Sequence, residues 1–214
     1  MNIEKTIETL KKQLGSYRKT TLNREAHIYT PFQTLISCIL SLRARDEMTE
    51  KVSKKLFNIA NTPEKIVKLS QKRLEKIIFS SGHYKKKART IKQISQVLID
   101  KYNSQVPDTE EELLKIKGIG RKTANIVLAF AYGKDVLPID VHCHRIPNRL
   151  GLIKTKTPEQ TEQELMKILP KKYWAEFNGL FVLFGRSICL PVSPKCSECS
   201  IREDCKRIGV EKSR

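Results

Sequence analysis

The chain has 214 residues, and its 41 lysines and arginines outnumber its 23 aspartates and glutamates, which leaves a formal net charge of +18. This length can bury a core as one large or two small domains, and the charge favours a polyanionic partner such as nucleic acid over a merely soluble, lysine-rich surface. No apolar run approaches the roughly 18 residues of a membrane span, and the first residues lack the apolar segment of a secretory signal, so we expect a protein that works inside the cell.

The first half of the chain predicts helices in succession. Apolar residues recur at helical spacing over Ile3–Leu14. The stretch Thr30–Gln33 combines an N-cap, a first-turn proline and a capping-box glutamine, which predicts the start of another helix. Asp46 is expected to cap a further helix whose apolar stripe ends at Ile59.

The second half of the chain continues this pattern. A long helix is predicted over Tyr84–Tyr102, and Thr109 with Glu112 predicts a capping box at the start of a short one. Thr157–Gln160 repeats the earlier start signal, and the aromatic segment Tyr173–Phe184 predicts a last apolar helix. Because no convincing succession of strands is present, the predicted fold class is all-α.

A glycine-rich turn lies inside one helical stretch. Residues 113–125 predict two helices joined by Gly118-Ile119-Gly120. The two glycines permit positive φ and a close approach of backbone N–H groups to an anion, and the second helix adds its positive dipole end. This arrangement suits a sequence-independent grip on a DNA phosphate. A P-loop is excluded because Arg121 separates glycine from lysine, whereas a helix–turn–helix connection without a ligand stays open.

Lys122 falls in the first turn of the second predicted helix, where the positive end of the dipole disfavours a cation. This position favours the uncharged amine, which is the form that Schiff-base chemistry requires. A solvated side chain without a catalytic role is the simpler alternative for a single lysine.

A single aspartate follows the apolar residues Leu137–Ile139. Asp140 is expected to cap a helix that begins at Val141, and capping alone would explain its presence. As a carboxylate beside the amine of Lys122, it could also stabilise positive charge that develops on a sugar and shuttle protons.

Four of the six cysteines lie within seventeen residues near the C-terminus, at Cys189, Cys196, Cys199 and Cys205. In a reducing compartment this spacing indicates a metal site rather than a disulfide framework. The spacing alone leaves zinc and an iron–sulfur cluster open. Cys38 and Cys143 stand apart from this group and are expected to be structural.

The hairpin with Lys122, the Asp140 segment and the four-cysteine spacing together resemble the endonuclease III family of helix–hairpin–helix DNA glycosylases, and the resemblance runs from about Thr30 to Cys205. It implies an enzyme that flips a damaged base out of the duplex. Lys122 would attack the sugar C1′ and displace the base, Asp140 would assist, and β-elimination would cleave the strand on the 3′ side. It also implies a [4Fe–4S] cluster on the four cysteines.

The resemblance also implies which residues contact DNA. The matching motifs contain Gly118, Gly120, Arg121 and His142. A basic run is expected to meet backbone phosphates or, as the simpler alternative, to be a solvated helix face; it consists of Lys85, Lys86, Lys87 and Arg89. The cysteine loop is expected to present further basic residues, Lys195, Arg202, Lys206 and Arg207.

In two places the chain departs from the better-known bacterial pattern. Arg43 stands where that pattern has a glutamine that fills the gap left by the flipped base. His83 stands where it has a leucine wedge, and a histidine can still stack between bases. These departures leave the chemistry intact but leave the lesion and the opposite-base preference open.

The favoured substrates are oxidised pyrimidines such as thymine glycol, in double-stranded DNA with damaged bases or abasic sites. A mismatch or uracil glycosylase on the same scaffold is an alternative, although base removal alone does not require Lys122. A non-catalytic DNA-binding protein is a second alternative, against which Lys122 and Asp140 together argue. We expect a monomer in the prokaryotic cytoplasm, associated with the nucleoid and not with a membrane.

Two domains are expected, with the active cleft between them. Residues 24–132 would form a helical barrel that contains the hairpin. Residues 1–23 and 133–214 would form a helical domain that contains the iron–sulfur loop.

Overall fold

The computed structural model describes residues 2–15, 29–42, 44 and 46–214. Within these ranges the chain is helical and has no β-strand, which confirms the all-α prediction. The α-helices are α1 (Ile3–Leu14), α2 (Pro31–Ser41), α3 (Asp46–Ile59), α4 (Pro63–Lys68), α5 (Gln71–Ile78), α6 (Tyr84–Tyr102), α7 (Glu110–Lys115), α8 (Arg121–Tyr132), α9 (Val141–Leu150), α10 (Pro158–Ile168) and α11 (Trp174–Ser187). Short 3-10 turns are formed by Phe79–Ser81, Lys171–Tyr173 and Cys196–Glu198. None of the described helices has both the length and the apolar character that crossing a membrane requires.

The chain divides into two compact units, one made of Met1–Thr20 with Asp135–Arg214 and the other of Thr21–Lys134. In the first unit, α11 packs against α1 and α9, and α9 also packs against α10. Its core combines aliphatic and aromatic side chains, and the rings of Phe177 and Phe181 stack at a centroid distance of 4.0 Å. The apolar stripe of α1 is buried in this core, as its spacing predicted.

In the second unit, α2 contacts α3, α6 and α8, while α6 also contacts α4 and α5. Helix α6 has the predicted bounds, and it buries the predicted apolar stripe of Ala88, Ile91, Ile94 and Leu98. Helices α7 and α8 pack against each other, and α8 joins this hairpin to α2. The hairpin is therefore built on the buried core of its unit rather than on a loop.

Side-chain caps fix where the predicted helices begin. Thr30 and Gln33 form the complete capping box at the start of α2. At α7 only half of the predicted box forms, because Thr109 Oγ1 accepts from the Glu112 N–H at 3.4 Å, whereas the Glu112 carboxylate accepts from the Tyr102 hydroxyl at 3.0 Å. The Glu112 carboxylate therefore binds Tyr102 of α6 instead of the backbone N–H of Thr109 that a capping box would use.

Two expectations for α3 were wrong. The helix begins at Asp46 itself, so this residue is inside the helix and is not its N-cap. Ile59 is 42% exposed, although Val52 and Leu56 on the same predicted stripe are buried. The spacing of apolar residues indicates which face of a helix is buried, but it does not indicate how much of the helix length the neighbouring elements cover.

Candidate active site

The turn between α7 and α8 needs its two glycines for different reasons. Gly118 has φ +101°, and a Cβ there would lie 2.9 Å from Thr90 Cγ2, so conformation and packing both require glycine. Gly120 has φ −97° and ψ 168°, which is extended backbone, so positive φ is not the reason for this glycine. Between them Ile119 is buried, with only 6% of its surface exposed.

Gly120 leaves open space at the start of α8. It is the N-cap residue of α8, and this position supplies no side-chain hydrogen bond to the first N–H groups of the helix. A Cβ on Gly120 would meet no heavy atom within 4 Å. A helix N-terminus with uncrowded backbone is the arrangement that binds phosphate groups. The turn therefore has room for an anion from outside the protein.

Lys122 is the second residue of α8, and its side chain is exposed. Cys38 of α2 lies near it and is only 2% exposed. Burial raises the pKa of the Cys38 thiol to about 12, and the positive charge of Lys122 opposes this rise without overcoming it. The thiol therefore stays protonated, which leaves Cys38 in the structural role that the sequence predicted.

Arg121 joins the two helices of the hairpin. Its Nε lies 3.4 Å from Glu110 Oε1 at the start of α7. Both side chains are partly exposed, and such a pair contributes no more than about 1 kcal/mol. The guanidinium can therefore exchange this partner for a phosphate at small cost. A DNA contact by Arg121 stays a prediction.

Asp140 is the N-cap of α9, as predicted. Its Oδ1 accepts from the backbone N–H of His142 at 2.8 Å and from that of Cys143 at 2.9 Å. Two backbone donors and the positive end of the helix dipole stabilise the ionised carboxylate and fix its orientation. Just before the cap, Asn178 Nδ2 of α11 donates to the Pro138 carbonyl at 3.0 Å and holds the incoming chain.

His142 is held by α11 and by a neighbour on its own helix. A Cβ on Gly185 would lie 2.2 Å from His142 Nδ1, so the ring occupies space that only a glycine in α11 leaves. The same Nδ1 lies 3.2 Å from Arg145 Nη2, which also donates to the Cys189 carbonyl at 2.7 Å. The proposed DNA contact of His142 is not settled by this packing and stays a prediction.

The basic residues at the start of α6 differ in how exposed they are. Lys85, Lys86 and Arg89 are exposed, as phosphate contacts or a solvated face would require. Lys87 is 5% exposed, and its Nζ donates to the carbonyls of Leu40 and Ser81, each at 2.7 Å. The prediction that Lys87 contacts DNA was therefore wrong. Its position is four residues before Ile91, which places it on the inward stripe of α6.

His83 is exposed and directly precedes α6, with a left-handed φ of 45°. Gly82 before it also has a positive φ, of 68°. A non-glycine residue in this region is strained and persists only where its surroundings hold it. Arg43, the other residue that departs from the family pattern, lies outside the described residues.

The C-terminal cysteines surround one cavity. Its lining contains all four predicted ligands, Cys189, Cys196, Cys199 and Cys205. Among the described residues, no group of three or more His, Cys, Asp or Glu side chains has the geometry of a preformed metal site. Thiolates are the donors that bind both zinc and iron–sulfur clusters, so the four cysteines that line the cavity are the candidates to hold a metal centre.

A buried cation faces this cavity. Arg149 is 6% exposed, and its Nη1 lies 3.3 Å from Cys189 Sγ. It also donates to the carbonyls of Leu190 at 2.8 Å and Pro191 at 3.0 Å. Burial raises the pKa of the Cys199 thiol to about 11, so a bound metal would have to displace its proton.

Sequence reasoning missed Lys87, Gly185 and Arg149. Lys87 could have been found because it falls on the apolar stripe of α6. Gly185 lies inside an apolar helix, where glycine costs about 1 kcal/mol relative to alanine and so indicates close packing. Arg149 is followed by the buried Leu150 on α9, but nothing local distinguishes it from a surface arginine.

Comparisons with known proteins agree with this geometry. Residues 36–171 match the model of the HhH-GPD superfamily base excision DNA repair proteins. Endonuclease III of Thermotoga maritima is 51% identical over 176 residues, which cover 82% of this chain and 83% of that protein. Endonuclease III of Haemophilus influenzae is 34% identical over 206 residues, which cover 96% and 97%.

Solved structures agree as well. A trapped endonuclease III–DNA covalent intermediate in an estranged-adenine complex superposes with a TM-score of 0.84 at 34% identity, covering 96% of this chain and 94% of that one. A thermostable thymine-DNA glycosylase has a TM-score of 0.82 at 24% identity and covers 95% of each chain, which shows a shared fold alone. The chain therefore belongs to the HhH-GPD superfamily of base excision DNA repair proteins, as a member of the endonuclease III family of DNA glycosylases with AP lyase activity.

Proposed function

We propose that Lys122 is the nucleophile of this enzyme. Its exposed amine in the first turn of α8, directly after the open Gly120 N-cap, is the observation that carries the proposal. Nζ attacks C1′ of the damaged nucleotide, the glycosidic C–N bond breaks, and the base leaves with its electron pair and takes up a proton. The amine loses protons as the sugar ring opens to an imine. Loss of a proton from C2′ then expels the 3′ phosphate by β-elimination.

Asp140 assists on the same sugar. Its carboxylate is oriented by two backbone donors, and in its ionised form it can stabilise the positive charge that develops at C1′ as the base departs. It can also accept a proton from the attacking amine and return it in the elimination step. A carboxylate tied to a helix N-terminus is preorganised and does not have to reorient during the reaction.

The partner is double-stranded DNA with a damaged base or an abasic site, bound by a monomer. The Gly118–Gly120 turn grips one backbone phosphate with the N-terminus of α8, and Arg121 adds a positive charge. Lys85, Lys86 and Arg89 extend this contact along the exposed face of α6. His142 completes the set of contacts near Asp140.

Two residues act inside the duplex. His83 is the wedge at the flipped nucleotide, which agrees with its exposure and its left-handed backbone. A ring of this kind can stack on the neighbouring base pair. Arg43 fills the gap and donates hydrogen bonds to the orphaned base.

The four C-terminal cysteines hold a [4Fe–4S] cluster, in a domain made of residues 1–23 and 133–214. The four thiols that line one cavity and the match to endonuclease III proteins support this proposal. When bound, the cluster crosslinks the loop, so that its basic residues are held toward DNA. Residues 24–132 are the helical barrel that contains the hairpin.

We place this activity in the cytoplasm of a prokaryotic cell, at the nucleoid. All six cysteines are thiols rather than disulfides, which suits a reducing compartment. The high positive charge suits a protein whose partner is chromosomal DNA.

The substrate class is oxidised pyrimidines, and borohydride trapping tests it. Duplexes that carry thymine glycol, uracil or an abasic site are incubated with the native protein, with Lys122→Ala and with Lys101→Ala, an exposed lysine at the far end of α6. We expect a covalent adduct on thymine glycol and on the abasic site, lost only in Lys122→Ala. An adduct at abasic sites alone would contradict oxidised pyrimidines as the substrate class. An adduct formed by Lys122→Ala would show that Lys122 is not the nucleophile.

A further inference from the structure

Lys87 is a buried cation on a helix whose neighbouring lysines are exposed. Burying an ammonium group is unfavourable unless hydrogen bonds replace the lost water. Both of its hydrogen bonds among the described residues go to backbone carbonyls, those of Leu40 and Ser81, at 2.7 Å. Burial lowers the pKa of Lys87 to about 8, so the ammonium form still predominates at neutral pH.

The two carbonyls belong to segments that are far apart in sequence. Leu40 lies in the last turn of α2, where carbonyls lack intrahelical partners and the dipole favours a cation. Ser81 ends the 3-10 turn Phe79–Ser81 and is followed by the left-handed residues Gly82 and His83. One ammonium therefore ties the C-terminal end of α2 to the loop that presents His83.

The loop has further anchors on both sides of His83. The backbone N–H of Lys87 donates to the His83 carbonyl at 3.1 Å, which fixes the start of α6. The rings of Phe79 and Tyr84 lie 4.8 Å apart between centroids. These contacts hold the two ends of the loop, and between them Lys87 Nζ holds the Ser81 carbonyl.

We propose that Lys87 is a positioning residue for base flipping, which holds the loop Ser81–His83 against the end of α2 so that His83 enters the duplex in one geometry. This inference rests on the proposed role of His83. A supporting side chain that loosens by about 1 Å can cost as much as 100-fold in rate. The effect is expected on steps that extrude a base, and much less on a site that has no base to extrude.

Two measurements on the intact chain test whether Lys87 holds the loop Ser81–His83. Amide hydrogen exchange at residue 87, whose N–H donates to the His83 carbonyl, is compared between native protein, Lys87→Met, Lys87→Arg and the control Lys101→Met, which changes an exposed lysine at the far end of α6. Single-turnover excision of thymine glycol is compared with cleavage of a preformed abasic site in the same proteins. The ratio of these two rates separates a positioning effect from a general loss of fold.

In Lys87→Met we expect exchange at the residue 87 amide to rise at least about tenfold, excision to fall about 10- to 100-fold, and abasic-site cleavage to change less than about threefold. Lys87→Arg, which keeps the charge and donors, should recover most of the excision-to-cleavage ratio. Should Lys87→Met not fold, Lys87→Gln replaces it, with the same expected directions.

Unchanged amide exchange in Lys87→Met would show that Lys87 does not hold the loop. Faster exchange with an unchanged ratio of excision to abasic-site cleavage would show that holding the loop does not position His83. If the native protein excised no base from any duplex, the proposed function would fail instead. The exchange measurement would then still decide whether Lys87 holds the loop.

Discussion

His142 and Gly185 are in direct contact, because a Cβ on Gly185 would come within 2.2 Å of the His142 ring nitrogen Nδ1. Helix α11 thereby holds the first turn of α9, whose N–H groups orient the Asp140 carboxylate. We expect Gly185→Ala to push His142 away and lower the free energy of unfolding by about 1–3 kcal/mol. Urea denaturation measures this loss, and the base-excision rate is expected to fall with it.

Gly15→Ala is the matched control, since a Cβ there would approach the nearest atom no closer than 3.4 Å and the backbone is helical. A Gly185→Ala protein as stable and active as this control would show that His142 does not depend on α11.

Gly120 is expected to matter for DNA binding and not for folding. Its φ is −97° and a Cβ would meet nothing within 4 Å, so Gly120→Ala should change the free energy of unfolding by less than about 0.5 kcal/mol. The added methyl group would occupy the space proposed for a phosphate, so the Kd for an abasic-site duplex should rise about tenfold. Fluorescence anisotropy measures the Kd, and unchanged affinity would remove the phosphate site.

Gly118→Ala should behave in the opposite way. The positive φ of +101° and the 2.9 Å approach to Thr90 both oppose a side chain, so about 1–3 kcal/mol of stability should be lost. Thermal denaturation checks this, and a native-like Tm would contradict the close packing of the turn on α6.

The stability contributed by Lys87 should rise with pH. Burial lowers its pKa to about 8 from the ordinary 10.5, so between these values the unfolded chain binds the proton that the folded protein has released. Raising pH through this window therefore favours the folded state. The free energy of unfolding of native protein, measured relative to Lys87→Met, should be flat below pH 8 and increase up to about pH 10.5. A decrease over this window would show that the ammonium is stabilised by the fold.

Arg149 should be needed for the cysteine loop. Its guanidinium contacts Cys189 Sγ and two loop carbonyls, so Arg149→Met would leave buried acceptors without their donor and cost about 2–4 kcal/mol. We expect lower iron content per purified chain and a lower urea midpoint. Arg202→Met, with an exposed side chain at the same cavity, is the control. Native iron content in Arg149→Met would contradict a role of Arg149 in holding the loop.

Affinity for duplex DNA should fall steeply with salt, because each phosphate neutralised releases a condensed counterion. The slope of log K against log salt should become shallower by about 1 in Lys85→Ala, if this exposed side chain contacts a phosphate. A flat salt response of the native protein would contradict the proposed basic interface.

Local signals in the sequence were sufficient for the helices and for part of the site. Thr30, Thr109 and Asp140 cap the helices they were predicted to cap, since a cap depends on atoms within three residues. The stripe on α6 and the spacing of the four cysteines were read from period and order alone. Lys122 was placed in the first turn of a helix because the glycine turn before it ends the preceding one.

Tertiary structure decided what a side chain faces when its partner is distant in sequence. Lys85 and Lys87 are the same residue type two positions apart, yet only Lys87 meets the carbonyls of Leu40 and Ser81 and is buried. In the sequence, Gly185 is a residue of low helix propensity inside a helix. Only the packing of α9 against α11 shows that it makes room for His142. Sequence determined the helices because their hydrogen bonds are local, whereas burial and long-range partners depend on how those helices pack.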